Sequence, residues 1–212
     1  MDLNKILKFY LIADRKICGE DNLLNTISEA KRAGITAVQY RDKSTFSIDK
    51  IKICKEIKNI LSFSSVPLII NDDVNLALET DADGIHIGQN DMSMVDVYSL
   101  KKSEQILGFS YDTANPKIKA EKEFVDYIGV GPIFQTSSKL DNIDIIGLNA
   151  LKKICSNEKI PCVAIGGINK NNCNEVLKTG VSGIAVISAI CGKPNPFQEA
   201  SELNKIIDRF KF

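Results

Sequence analysis

One histidine, His86, stands in the 212-residue sequence, and its six cysteines (Cys18, Cys54, Cys155, Cys162, Cys173 and Cys191) include no Cys-x-x-Cys pair. A structural zinc site therefore lacks ligands at workable spacing, and the cysteines are read as reduced and buried. Net charge is absent too. Twenty-seven Lys and Arg balance 27 Asp and Glu, so no overall field holds nucleic acid or an anionic membrane, and any anion site must be local. No apolar run reaches the length of a membrane span: the longest, such as Phe9–Ala13 and Gly183–Ile190, are strand-sized. Met1–Lys8 interleaves Lys and Asn with Leu and Ile and carries no signal-peptide core, which predicts a cytoplasmic protein. With 44% hydrophobic and 25% charged residues the composition excludes wholesale disorder and a coiled coil. No low-complexity segment, Pro/Ser linker or charge run divides the chain, so one domain over residues 1–212 is expected.

What is present is a recurring unit. Short runs rich in Val and Ile, each followed by polar residues and then by helical spacing, fall at Phe9–Ala13, Ala37–Arg41, Pro67–Asn71, Gly84–Gly88, Ile106–Ser110, Tyr127–Ile133, Cys162–Gly166 and Gly183–Ser188. Between them Leu23, Leu24, Ile27 and Ala30 mark one amphipathic helix, and Ile48, Ile51, Cys54, Ile57 and Leu61 another. A last helix opens at Pro196 and carries Phe197, Ala200, Leu203, Ile206, Ile207 and Phe210 on one stripe. Strands this apolar are covered on both faces, and eight such units in one chain fit an α/β fold, a single (β/α)8 TIM barrel. A doubly wound open sheet is the alternative, but no Gly-x-Gly-x-x-Gly follows the first strand.

In such a barrel the chemistry sits at the carboxyl ends of the strands. The second strand ends Gln39-Tyr40-Arg41-Asp42-Lys43, where Arg41 can fork onto phosphate oxygens and Lys43 adds a compact cation. The third ends Asn71-Asp72-Asp73, and Asp91 follows the fourth. On adjacent strands Asp72 and Asp91 can share a divalent ion, and oxygen ligands without histidine favour magnesium; helix capping is the competing use of either carboxylate. His86, between Ile85 and Ile87, reads as a core histidine. Ser110 closes the fifth strand with no second histidine to make it a nucleophile. The sixth runs into Gln135-Thr136-Ser137-Ser138-Lys139, three hydroxyls and an ammonium suited to phosphate. Gly166-Gly167 after the seventh strand, before a helix expected to be capped by Asn169, and Ile187-Ser188 after the eighth suit a second phosphate held by backbone N–H groups.

These motifs, in this order, resemble those of the thiamine phosphate synthase family. Gln39–Lys43 is similar to that family's Gln-Leu-Arg-Glu-Lys, Ile69–Asp73 to its Ile-Ile-Asn-Asp, and His86–Asp91 to its His-Val-Gly-Gln-x-Asp. Gly129–Lys139 is similar to Gly-Val-Gly-Pro-Ile-Phe-x-Thr-x-Thr-Lys, Ala164–Ile168 to Ala-Ile-Gly-Gly-Ile, and Val186–Ile190 to Val-Val-Ser-Ala-Ile. The resemblance implies a magnesium-dependent transferase that joins hydroxymethylpyrimidine diphosphate to hydroxyethylthiazole phosphate, releasing diphosphate. It implies that Gln39, Tyr40, Arg41, Asp42 and Lys43, with Asn71, Ser110 and Lys139, hold the pyrimidine diphosphate, that Asp72 and Asp91 ligate magnesium, and that Thr136, Ser137, Ser138, Gly167, Ile187 and Ser188 hold the thiazole phosphate. Arg41, Lys43, Ser110 and Lys139 would then stabilise the leaving group, with bond breaking ahead of bond making. The sequence departs from the pattern at Tyr40, Asp42, Ser93, Ser138 and Tyr111-Asp112, the last where many members carry a histidine. A thiazole tautomerase of the same fold, another phosphate-binding barrel isomerase and a non-catalytic regulatory relative are the rival readings. Asp91 and the intact basic positions weigh against them.

Overall fold

A computed structural model of the chain describes residues 2–43, 47–111, 122–136 and 144–211. The Val/Ile runs form eight parallel strands: β1 (Phe9–Asp14), β2 (Ala37–Arg41), β3 (Leu68–Asn71), β4 (Gly84–Ile87), β5 (Ile106–Tyr111), β6 (Tyr127–Val130), β7 (Cys162–Ile165) and β8 (Gly183–Val186). They pair in sequence order and close through β1 and β8, with Phe9 opposite Ile184 and Leu11 opposite Val186. The expected barrel is what the chain builds.

Closure divides each strand between two environments, because successive side chains alternate. The outward series, among it Leu11, Val38, Tyr40, Ile70, Ile85, Leu107 and Ile128, joins the apolar faces of the surrounding helices in one continuous core. The inward series, Tyr10, Ile12, Ala37, Ile69, Ile106, Tyr127, Val163 and Ala185, fills the barrel. Helix α1 (Leu3–Leu7) adds Ile6 and Leu7 to that inner cluster at the amino-terminal end of the strands. A side chain on Gly183 would meet the Leu7 carbonyl at 1.8 Å, so that end is tightly packed.

Helices α2 (Arg15–Cys18), α3 (Leu23–Arg32), α4 (Ser47–Leu61), α5 (Val74–Glu79), α6 (Met94–Leu100), α7 (Gly147–Asn157), α8 (Cys173–Leu177) and α9 (Pro196–Ile207) follow their strands. In α3 the expected stripe holds: Leu23, Ile27 and Ala30 are buried and Leu24 is partly so. In α9 Pro196 opens the helix and Ala200, Leu203 and Ile207 are buried, while Phe197 turns outward under the Arg32 guanidinium, 5.2 Å from its ring centre. Most strand ends move by one to three residues from expectation, and one strand end and one helix start show why. Strand β6 stops at Val130 because Pro132 has no N–H to continue the ladder. Helix α8 is preceded by Asn172 in the capping position and not by Asn169.

Candidate functional site

The carboxyl end of the barrel opens into a cavity of about 910 Å³. Its floor is the inward series of strand residues, and its walls are the β6 and β7 loops. Gln39, Arg41, Asn71, Ser110, Thr136, Gly167, Ile187 and Ser188 all line it, so the structure brings together residues from six different strand ends that were expected to meet substrate. Gln135, Thr136, Gly167 and Ser188 also line an adjoining hollow of about 400 Å³.

Two expected residues turn away. Tyr40 belongs to the outward series and is 1% exposed, and its hydroxyl donates to Asp42 at 2.8 Å. Asp42 in turn accepts from Arg15 at 3.0 Å. The two form a brace between β2 and α2 outside the cavity, while the strand alternation sends Gln39 and Arg41 inward.

Arg41 meets Asp14, the last residue of β1 and its partner in the strand register. Asp14 is 2% exposed and also accepts from the Ile17 N–H at 3.0 Å, capping α2. Held by Asp14, the guanidinium is fixed at the cavity wall with other N–H groups still to offer. Reading β1 as ending at Ala13 passed over Asp14; its place opposite Arg41 on the neighbouring strand was the available signal.

Beyond β3 and β4 the carboxylates of Asp72 and Asp91 come within hydrogen-bonding reach of one another, and Lys43 pairs with Asp72. Neither carboxylate caps a helix. Asp73 caps α5 by accepting from the Leu76 N–H at 3.0 Å, and Ser93 caps α6. Asp91 instead accepts from the Gly88 N–H at 2.7 Å. Asp72 adopts a φ of 63°, a left-handed conformation that Asp tolerates better than most residues and that carries strain. Burial raises the Asp72 carboxyl, but the Lys43 and Asp91 hydrogen bonds outweigh it and leave it below the ordinary carboxylate range. Burial and the Asp72 hydrogen bond hold the Asp91 carboxyl above that range. Two all-oxygen side chains forced this close favour a hard cation between them, so the donor set fits magnesium. Among the described residues no group of three His, Cys, Asp or Glu side chains could hold a metal, so an ion here would have these two carboxylates and would need further oxygens from water or substrate.

The β7 loop is shaped by glycine. Gly166 and Gly167 have φ of 102° and 68°, and a side chain on Gly167 would meet the Gln135 carbonyl at 2.6 Å. The Asn169 and Asn172 amides both donate to the Gly167 carbonyl, at 3.3 and 2.9 Å. That carbonyl is thereby held in place, and the loop rests against the β6 loop at Phe134 and Gln135, the Phe134 N–H donating to the Gly166 carbonyl at 3.0 Å.

The cavity floor holds a chain of hydrogen bonds that no local pattern announces. Gln39 Nε2 donates to Tyr10 Oη at 3.0 Å, Tyr10 Oη lies 2.9 Å from Tyr127 Oη, Tyr127 Oη lies 2.9 Å from His86 Nδ1, and His86 Nε2 lies 3.1 Å from Ser110 Oγ. His86 is thus a satisfied histidine of the barrel interior, as expected, but one that also lines the cavity. Gly108 makes room for the Tyr127 ring: a side chain there would come within 2.2 Å of Tyr127 Cζ. Ser137, Ser138, Lys139 and Asp112 lie outside the described residues.

Residues 9–190 match a family described as thiamine monophosphate synthase. The chain is 42% identical over 183 residues to the thiamine-phosphate synthase of Clostridium acetobutylicum, covering 86% of each chain. Its identity to that of Streptococcus suis is 41% over 198 residues, covering 92% of this chain and 86% of the other. Among solved structures, the thiamine phosphate pyrophosphorylase of Pyrococcus furiosus is 38% identical with a TM-score of 0.87, over 98% of both chains.

Proposed function

The chain belongs to the thiamine monophosphate synthase family and is a transferase of thiamine biosynthesis, and from that premise we propose that it joins hydroxymethylpyrimidine diphosphate to hydroxyethylthiazole phosphate with loss of diphosphate. The observation that carries the substrate assignment is the Lys43–Asp72–Asp91 cluster at the same barrel end as Arg41 and Ser110. Such a set suits a diphosphate bridged to a hard cation. The bond to be broken joins a benzylic-type carbon to the diphosphate, so the protein's main task is to stabilise negative charge as it grows on the departing oxygen.

Arg41, braced by Asp14, and Lys43 bind the diphosphate oxygens, and Ser110 donates a hydrogen bond to them. Lys139 joins them as a further cation. Gln39 and Asn71 orient the pyrimidine in the floor of the cavity. Asp72 and Asp91 would hold magnesium, which when bound withdraws charge from phosphate oxygens. Thr136, Gly167, Ile187 and Ser188 hold the thiazole phosphate and so aim the thiazole nitrogen at the pyrimidine methylene, a role that the family resemblance extends to Ser137 and Ser138. Proximity then replaces a general base. An electron-rich aminopyrimidine can carry positive charge if its bond to diphosphate breaks first, and electron-withdrawing substituents on it should slow the reaction steeply.

The test is diphosphate release from both substrates by the purified protein and by Asp91→Ala, with and without magnesium. Magnesium-dependent release with thiamine phosphate as co-product, reduced about 100-fold or more in the variant, is expected for loss of charge stabilisation at the leaving group. Release undiminished by chelation, or no product at all, would overturn the assignment.

A further inference from the structure

The distances in the cavity floor leave the direction of its hydrogen bonds open, and counting donors selects one. An amide nitrogen only donates, so the Gln39 Nε2 contact makes Tyr10 Oη an acceptor. A phenol has one hydrogen to give, and the next oxygen along is Tyr127 Oη at 2.9 Å. Having accepted from Tyr10, Tyr127 directs its own hydrogen to His86 Nδ1, also at 2.9 Å. Burial first of all raises both phenols far above the ordinary tyrosine range, so each keeps its hydrogen. His86 must then be unprotonated at Nδ1, and when neutral it carries its proton on Nε2, 3.1 Å from Ser110 Oγ. Ser110 accepts there, and its own hydrogen is left to point into the cavity that it lines.

We infer that Tyr10, Tyr127 and His86 are positioning residues: a one-way relay of hydrogen bonds that fixes the imidazole as the Nε2–H tautomer and commits the Ser110 hydroxyl to donate to the leaving diphosphate. Run the opposite way, the chain would place the imidazole proton on Nδ1, and Ser110 would spend its hydrogen on His86 Nε2 with only lone pairs left for the cavity. A diphosphate oxygen accepts hydrogen bonds and has none to give, so only the first direction serves the departing group. The relay also joins the two halves of the pyrimidine diphosphate site, since it starts at Gln39 and ends at Ser110. Its packing supports the same reading. Gly108 admits the Tyr127 ring, and Gly129 stands beside the imidazole, where a side chain would lie 3.3 Å from His86 Cε1.

The catalytic consequence rests on the diphosphate assignment above, but the tautomer does not. His86 is the sole histidine in the chain, so protein labelled with ¹⁵N-histidine gives one imidazole spectrum. At a pH of about 8, above the ordinary imidazole range, two-bond proton–nitrogen correlations should show the Nε2–H form in the unmodified protein, and less of it in Tyr10→Phe, where Tyr127 has lost its donor. In Tyr127→Phe, which removes the donor to Nδ1, the Nδ1–H form should grow. The same variant should lose about tenfold to a hundredfold in kcat, as misplaced catalytic groups do, with KM for the pyrimidine diphosphate changed much less. An Nδ1–H imidazole in the unmodified protein, or a tautomer indifferent to Tyr127→Phe in a variant whose circular dichroism is native, would overturn the relay. Absence of thiamine phosphate formation beside an Nε2–H imidazole would overturn the proposed reaction and leave the relay standing.

Discussion

Replacing Gly108 with alanine is a sharp probe of how the barrel interior is packed. The added methyl carbon would lie 2.2 Å from Tyr127 Cζ and 2.4 Å from its Cε1 and Oη, all in a ring that is 1% exposed. Separations below 3.0 Å are essentially never seen for real side chains, so the ring has to move by about an ångström. Overfilling a packed core costs about 1–3 kcal/mol, and the displaced phenol puts at risk two hydrogen bonds worth roughly 1 kcal/mol each. Alanine restricts the unfolded chain and returns roughly 0.5–1 kcal/mol. A net loss of about 2–4 kcal/mol is expected, measured by urea unfolding, with a fall in Tm of roughly 4–16 °C for a chain of this size. The mechanism predicts more than a magnitude. In a Tyr127→Leu background the ring is gone, and the same glycine substitution should cost less than about 1 kcal/mol, giving a coupling energy of roughly 2 kcal/mol between the two sites. Equal costs in both backgrounds would refute the reasoning, because the penalty would then arise from the backbone at position 108 and not from the ring.

Two further outcomes follow from the outer shell. Arg15→Ala should destabilise by about 2 kcal/mol, between the values for exposed and buried pairs, because it takes one partner from an Asp42 side chain that is 4% exposed. Lys178→Ala, whose pair with Glu175 is more than half exposed on both sides, should change the urea midpoint little; equal effects would sink the distinction. Cys155 is the one cysteine of the six that is not buried, and the neighbouring Cys162 thiol holds its thiol below the ordinary range. With a disulfide reagent at about pH 8, one thiol should react fast in the folded protein and that phase should vanish in Cys155→Ser, with Cys54, whose thiol burial pushes up to about 12, reacting only on unfolding.

The barrel and much of its mouth were legible in the sequence for a physical reason. Strands covered on both faces are written as unbroken Val/Ile runs, and the residue type at each run's end survives closure unchanged, so Arg41, Asn71, Ser110 and Ser188 could be placed before any coordinates. Legibility failed where position depends on orientation or on distant partners. Tyr40 and Asp42 sit inside the basic motif, yet alternation turns Tyr40 outward and its hydroxyl takes Asp42 along. Asp72 could not be told from a capping residue until Asp73 was seen to accept the Leu76 N–H. Tyr10 and Tyr127 are 117 positions apart and meet only because the ring of strands closes. No periodicity within a window of ordinary length can show such a meeting.

The pairing of β1 with β8 also has a consequence in time. A ribosome delivers β1 early, and β2 can cover one of its edges soon afterwards. The other edge waits for Ile184 to reach Phe9, which at ordinary synthesis rates is roughly 10–35 s later. Through that interval Phe9–Asp14 presents an apolar strand with open backbone groups, the kind of edge that invites pairing with another nascent chain. The last strand to emerge is therefore the one that ends the hazard, and truncations that remove Gly183–Val186 should yield aggregates in place of a barrel with one gap.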